Sequence, residues 1–332
     1  MVNKIRVAVV GAGISGLTFS RELGDGFNVT IFEKANRPGG RVTSKVINGA
    51  DLDYGAQFFT AKTPEFQAMV SEMESKAVIE SWQGHFIEFD HKAICSERDW
   101  DATHPHYVGT PNMSAISEWM AGSLDIDYQS TVTYMERKAN IWHLYGGDSE
   151  LGQFDWVVLT MPPKQACDLL PTEHAFYPIL SNIKMRACFA LRVVLNEDIE
   201  LGFNAALVRN HDISWISKNS SKPKRTGAPS IVVHATNAWA DAHLNDDLKQ
   251  VEEHMLECLY DITGLPVTAI GTSDVKKWEF ANAPKRSGSG FLLDRTGGIA
   301  VCGDSLVHGR IEAAFTSGKQ LAKTISHEFE IP

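Results

Sequence analysis

No stretch of the 332-residue chain reaches about 18 consecutive apolar residues, so a membrane-spanning helix is not expected. Cysteine is scarce. The five residues, Cys95, Cys167, Cys188, Cys258 and Cys302, are scattered and contain no CxxC pair. That pattern argues against a disulfide framework or a zinc site and predicts free thiols, with no metal expected. Basic charge is also short: 31 Lys and Arg against 41 Asp and Glu leave a formal net charge of −10. Such a chain lacks the basic face that nucleic acid or an anionic membrane requires. A cleavable leader is not expected either. Lys4 and Arg6 do precede an apolar run, but glycines at 11, 13 and 16 break it early. Internal repeats and low-complexity tracts are missing too, and the expected compartment is the cytoplasm.

What is present is ordinary globular composition, 43% hydrophobic and 22% charged, in a length that suits two domains. Residues 5–10 (IRVAVV) form a glycine-bounded apolar run, as in a buried parallel strand. A helix over 14–23 and a β-branched strand over 28–33 follow, the start of a doubly wound sheet. A helix is predicted over 63–75, with Pro64 in its first turn. Alternation over 82–93 and 126–144 predicts antiparallel strands. Residues 154–160 (FDWVVLT) read as another buried strand, 185–195 and 230–235 as strands of a separate sheet, and 244–259 as a helix. The loop 217–229, rich in Ser, Lys and Pro, is expected to be exposed. A strand over 298–302 and a helix over 311–329 complete the pattern. Parallel-type strands thus flank antiparallel ones. The fold class is α/β with an α+β insert: a Rossmann-type cofactor domain (1–62, 125–165, 270–332) interrupted by an antiparallel-sheet substrate domain (63–124, 166–269).

The chemistry-bearing residues begin with Gly11-Ala12-Gly13-Ile14-Ser15-Gly16. Gly11 permits the turn out of the strand, Gly13 lets a pyrophosphate approach the backbone, and Gly16 allows close helix–strand packing. The helix N-terminus then offers free N–H groups and a partial positive charge. Glu33 ends the next strand, 22 residues after Gly11, where a carboxylate can accept ribose hydroxyls. Arg37-Pro38-Gly39-Gly40-Arg41 follows at once. A second glycine loop with a forked cation suits FAD, and a simple dehydrogenase has no need of it. At the other end, Gly303-Asp304 closes a strand and leads to Arg310, Ile311 and Glu312 at the start of the last helix. An Asp there can bind a ribityl hydroxyl, and the helix N-terminus can face phosphate or a flavin carbonyl. The other reading of Asp304 is a helix N-cap.

These residues resemble the renalase-like branch of the FAD-dependent amine oxidase superfamily, its bacterial members above all. The resemblance rests on GAGISG…E…RPGGR, on residues 53–60 (DYGAQFFT), Met113-Ser114-Ala115, and residues 157–165 (VVLTMPPKQ). It continues through Ser221-Lys222-Pro223 with Arg225, His234-Ala235-Thr236, Lys277-Trp278 with Pro284, and the CGD segment at 302–304. It implies a p-hydroxybenzoate-hydroxylase-like fold with noncovalent FAD held by Ala12, Ser15, Glu33, Lys34, Gly40, Arg41, Ala56, Gln57, Phe58 and Asp304. Val132 would sit near the adenine through its backbone. The implied activity is oxidation of 2- or 6-dihydro isomers of NAD(P)H to NAD(P)+, with oxygen reduced to hydrogen peroxide. The implied partners are therefore a small-molecule substrate and oxygen. The chain departs from the family pattern at Asn112, Ser305, Ala313 and Phe315, which leaves the substrate end open. An amine or other small-molecule oxidase remains an alternative, as does a flavin-binding sensor or scaffold without turnover.

Hydride transfer from a dihydropyridine needs positioning and exclusion of water more than an acid–base residue. Gln57 and Trp278 are the candidates for that positioning: Gln57 as a polar group aimed at the site, Trp278 as a wall for a flat ring. His85, His234 and His308 are read as structural or surface histidines, and Trp82 as core. Lys222 and Arg225 are read as part of a solvated basic loop, and Cys302 as a core thiol.

Overall fold

The computed structural model describes residues 4–329. The chain divides into two compact units: one takes in residues up to Gly40, Ser117–Met185 and those from Ala283 on, and the other comprises Arg41–Ile116 and Arg186–Asn282.

The first unit is built on a six-stranded sheet in the order Phe291–Asp294, Ile299–Cys302, Trp156–Leu159, Ile5–Val10, Phe27–Glu33, Ile126–Tyr128. All neighbours are parallel except the Phe291–Asp294 edge. Its central strands are continuous Val, Ile and Ala runs because both faces are covered, as parallel sheets require. The helices Ile14–Glu22 and Ile311–Glu328 pack so closely that a Cβ on Gly318 would stand 2.4 Å from the Ser15 carbonyl oxygen. An antiparallel layer of Tyr134–Lys138, Ile141–Gly146 and Ser149–Phe154 adds Met135, Trp142 and Leu144 to the same core.

The second unit carries a seven-stranded sheet in the order Ile270–Asn282, Arg186–Leu195, Ser230–Ala235, Ile213–Lys218, Ala205–Arg209, Gly84–Asp90, Ala93–Trp100. Helix Leu248–Thr263 covers one face, burying Val251, Met255, Cys258 and Leu259 among Phe189, Leu191 and Ile216. Asp247 caps its N-terminus by accepting from the Lys249 and Gln250 N–H groups, and Gly264 ends it in the left-handed region, φ 66°.

The structure departs from the sequence expectations at several points. Residues 126–128 do not start an antiparallel meander; they pair in parallel with the strand ending at Glu33. The helix expected over 244–259 is Leu248–Thr263, shifted four residues along because Asp247 provides its cap, and a separate short helix, Asn237–Ala242, precedes it. Residues 270–282 lie with the second unit, since Ile270–Asn282 pairs along almost all of Arg186–Leu195. Residues 41–62 join it as well, through the hairpin Ser44–Ile47 and Ala50–Asp53. The loop 217–229 is not the exposed segment its composition suggests, because Ser217, Asn219 and Lys222 are buried. Among the described residues no helix is long and apolar enough to cross a membrane. All five cysteines are free.

Candidate active site

In the first unit, the turn after Ile5–Val10 builds an open cradle. Gly11 sits at φ 110°, where a side chain would be strained, and a Cβ on Gly16 would stand 2.2 Å from the Gly11 carbonyl oxygen. Gly13 differs: no atom lies within 4 Å of where its Cβ would be, so the space before the helix is free. Gly13 has no side-chain cap bond, which leaves the first-turn N–H groups of Ile14–Glu22 facing that space. The Gly39 N–H donates to the Ala12 carbonyl at 2.9 Å, and Gly13 bridges Gly39, so both glycine loops lie side by side. Gly39 and Gly40 have φ of 125° and 56°.

Buried Glu33 accepts the Ala12 N–H on Oε2 and the Ala35 N–H on Oε1, each at 2.8 Å. Each oxygen keeps a lone pair for a further donor, such as a ribose hydroxyl. The backbone of 129–130 runs past the same point, Ser130 donating to the Glu33 carbonyl and Gln129 to that of Ala35. That places buried Val132 two residues beyond this contact. Lys34 is exposed. The Gly303 turn is tied down by Ser317, which accepts its N–H at 2.8 Å, and the buried Asp304 opens the short 3-10 turn Asp304–Leu306. Arg310 and Ile311 stand at the start of the last helix, which has no side-chain cap either. Ser15 turns its hydroxyl to Cys302 Sγ at 3.2 Å, and burial pushes that thiol up to about 12, an inert core thiol as expected. Glycines without Cβ clearance, an open space at a helix N-terminus and a carboxylate with spare lone pairs together fit a dinucleotide such as FAD.

In the second unit, Arg41 and Ala56 are brought together: the Ala56 N–H donates to the Arg41 carbonyl at 2.9 Å, and a Cβ on Gly55 would be 2.0 Å from that oxygen. The Arg41 guanidinium donates to the Ala281 carbonyl at 3.0 Å. Next to them lies a cluster whose members the sequence had scattered. Asp53, Lys222 and Arg225 form an ion triad with side-chain exposures of 0%, 0% and 1%. Lys222 Nζ is 3.0 Å from Asp53 Oδ2, and Arg225 engages the same oxygen through Nη2 and Nε. Asp53 Oδ1 accepts from the Ser44 hydroxyl at 2.7 Å and the Met113 N–H at 3.0 Å. Burial alone would raise the Asp53 carboxyl, but the two cations and the Met113 N–H bring it down to about 2. Burial lowers the Lys222 ammonium to about 8 against the pull of Asp53, and the positive charge of Arg225 adds to that lowering. Lys222 and Arg225 are therefore not a solvated basic loop. Arg225 Nη1 also donates to the carbonyls of Gly109, Pro111 and Pro223, so charge complementarity folds the segment inward.

Gln57 belongs to this network. Its Oε1 accepts from Ser217 Oγ at 2.9 Å and from Lys222 Nζ at 3.2 Å, and its Nε2 donates to the Asp53 and Gly55 carbonyls. His234 Nε2 lies 3.4 Å from the same Nε2. With both ends engaged, Gln57 holds its neighbours in place. Burial, with Lys222 nearby, lowers His234 to about 4, so its imidazole is neutral at pH 7. Trp278 is anchored rather than loose: Nε1 donates to the Tyr54 carbonyl at 2.9 Å and the ring stacks on Tyr54 at 5.6 Å. Arg192 lies 4.6 Å over Tyr54 while its guanidinium pairs bidentately with Asp274.

Sequence reasoning missed the aromatic wall beside Gln57. Phe58 packs against Trp100, His106 and Trp215 at 5.0–5.5 Å, and Trp82 meets Trp100 edge-on. The buried Nε1 atoms of Trp82, Trp100 and Trp215 and Nδ1 of His106 have no hydrogen-bond partner. Residues 82, 100, 106 and 215 come from four separate segments, which no spacing rule links. Trp82 is core, as expected, yet carries one of these orphan donors. His85 is a surface residue held by Asp99 and Glu97, which raise its pKa, and His308 lies partly exposed before the last helix.

The NAD(P)-binding Rossmann-like domain family matches residues 9–73. Coproporphyrinogen III oxidase of Mycobacterium tuberculosis is 42% identical over 69 residues, 20% of this chain and 15% of that protein. The chain thus spans only a small part of the length of that relative. Renalase of Mus musculus is 23% identical over 352 residues, 96% of this chain and 98% of that one. Among solved structures, cyclohexylamine oxidase from Brevibacterium oxydans IH-35A shares the fold at a TM-score of 0.72 and 14% identity, over 98% of this chain and 100% of that one. Over nearly its whole length the chain is thus similar to renalase, and it shares its fold with cyclohexylamine oxidase.

Proposed function

We propose that the enzyme oxidises 2- or 6-dihydro isomers of NAD(P)H to NAD(P)+. The observation that carries this reading is the similarity to renalase over 96% of the chain, at 23% identity. Bound FAD supplies a two-electron acceptor that passes its electrons to oxygen. Overall, substrate, O2 and a proton give NAD(P)+ and H2O2.

The protein side of this chemistry is positioning. Burial lowers His234 to about 4, which makes it a weak base, and Lys222 is an ammonium bonded to Asp53, so neither is suited to take a proton from a substrate. A dihydropyridine gives up hydride through its own ring nitrogen and needs no such base. Similarity to renalase over nearly the whole chain supports the same substrate class. The test is anaerobic mixing of the flavin-loaded enzyme with 2- and 6-dihydro-NAD(P), ordinary NADH and an amine panel, followed by flavin bleaching. Rapid bleaching by the isomers alone is expected. Bleaching by an amine alone would make it an amine oxidase, and resistance to every donor except dithionite would favour a non-catalytic flavin protein.

A further inference from the structure

We propose that Asp212, His254 and Cys258 form a binding site for one divalent transition-metal ion of the zinc class. Asp212 directly precedes strand Ile213–Lys218, and His254 and Cys258 lie one turn apart on helix Leu248–Thr263. His254 Nε2 is 2.9 Å from Asp212 Oδ2 and 3.5 Å from Cys258 Sγ, and the three donor atoms all lie within 4.8 Å of one another. With Zn–N of about 2.0 Å and Zn–S of about 2.3 Å, the N···S edge of a tetrahedral site is about 3.5 Å. The His–Cys pair already has that spacing, and Asp212 need only draw back by a few tenths of an ångström.

Three further features suit an ion. The His254 ring is fixed by stacking on Trp239 at 4.8 Å and 8°, so its Nε2 stays aimed at the other two donors. The side chains of His254 and Asp212 are 38% and 48% exposed, which leaves a way in and room for water at a fourth position. The surroundings are negative, with Asp261 and Glu257 close to Cys258. Lys92 and His211 also face this region, both paired with Asp261. A mixed S, N and O donor set selects zinc, cobalt or their neighbours over magnesium or calcium. As the Sγ–metal bond forms, the thiol proton passes to solvent, one per ion.

The site is independent of the flavin reading, so its test stands apart from turnover. Flavin-loaded enzyme, stripped with chelator and desalted, is titrated with Co2+ and then Zn2+. Expected are one saturable ion per chain, tetrahedral cobalt bands to the red of the flavin absorption, displacement by Zn2+, and a rise in melting temperature on loading. His254→Gln and Cys258→Ser lose all of these, whereas Cys95→Ser, at an exposed thiol, keeps them. His254→Gln alters a partly exposed side chain and guards against a folding defect in Cys258→Ser. No saturable uptake by the wild-type enzyme would overturn the assignment, as would uptake that survives either variant.

Discussion

The buried triad makes an asymmetric prediction. Asp53, Lys222 and Arg225 carry one negative and two positive charges at side-chain exposures of 0–1%, an excess of one buried cation. Asp53→Asn removes the carboxylate that both cations engage and leaves them facing a neutral amide. Breaking a buried pair from one side costs about 3–5 kcal/mol. Lys222→Met removes the surplus charge instead, and Asp53 keeps Arg225, the Ser44 hydroxyl and the Met113 N–H. Its cost should stay within about 1.5 kcal/mol, the loss of one hydrogen bond each at Asp53 and Gln57 being offset by relief of repulsion. At about 2–4 °C per kcal/mol, Asp53→Asn should lower the melting temperature by roughly 6–20 °C and Lys222→Met by a few degrees. The double variant should recover part of the loss. Differential scanning calorimetry of flavin-loaded protein decides, and equal damage from the two single variants would refute the charge argument. The pH dependence has a definite sign. Lys222 holds its proton less tightly when folded, about 8, than its ordinary 10.5, so this source of stability rises as pH climbs through that window. Lys222→Met should abolish the rise. Asp53 has the same sign at the acid end: its contribution is full above its ordinary 3.8 and is lost as pH falls toward about 2.

The glycine cradle separates packing from binding. Gly16→Ala should unfold or strongly destabilise the first unit because its Cβ meets the Gly11 carbonyl, while Gly13→Ala should keep its circular dichroism yet copurify with little flavin. Glu33→Gln replaces one acceptor with a donor facing a backbone N–H, so it should cost about 1–3 kcal/mol and weaken FAD retention on dialysis. In Lys222→Met the His234 imidazole should titrate above about 4 but short of its ordinary 6.5, since burial persists, a shift that NMR can follow. Trp278→Phe, which loses the bond to the Tyr54 carbonyl, should raise KM more than it lowers kcat in steady-state assays.

Much of the first unit could be read from the chain because its signals are local. A glycine turn between an apolar strand and a helix, with Glu33 at the end of the next strand, falls within one stretch of 5–33, and Gly16 owes its lack of a side chain first to the Gly11 carbonyl five residues away. The second unit gave fewer such signals. Strand Ile213–Lys218 alternates too weakly to stand out, yet it carries Trp215 of the aromatic wall and the Ser217 that holds Gln57. Composition misled most at 217–229, where Ser, Lys and Pro read as solvent-exposed.

The reason lies in how irregular backbone is held. Residues 53–57, 109–113 and 219–229 meet largely outside regular strands, so no continuous ladder of backbone bonds fixes their mutual position. Asp53 and Arg225 replace it. One carboxylate collects Ser44, Met113, Lys222 and Arg225, and one guanidinium collects the carbonyls of Gly109, Pro111 and Pro223. Charged groups suit this task because bonds to them are stronger and a guanidinium offers five donors in a fixed fork. Their burial becomes tolerable only when every segment has arrived, which makes the arrangement all-or-none. Gln57 sits inside that lattice, so the side chain next to Phe58 inherits its rigidity from residues 160 and 165 positions away in sequence. Lys222 can therefore be basic in composition, buried in the fold and remote in sequence, and still be what keeps Gln57 in register.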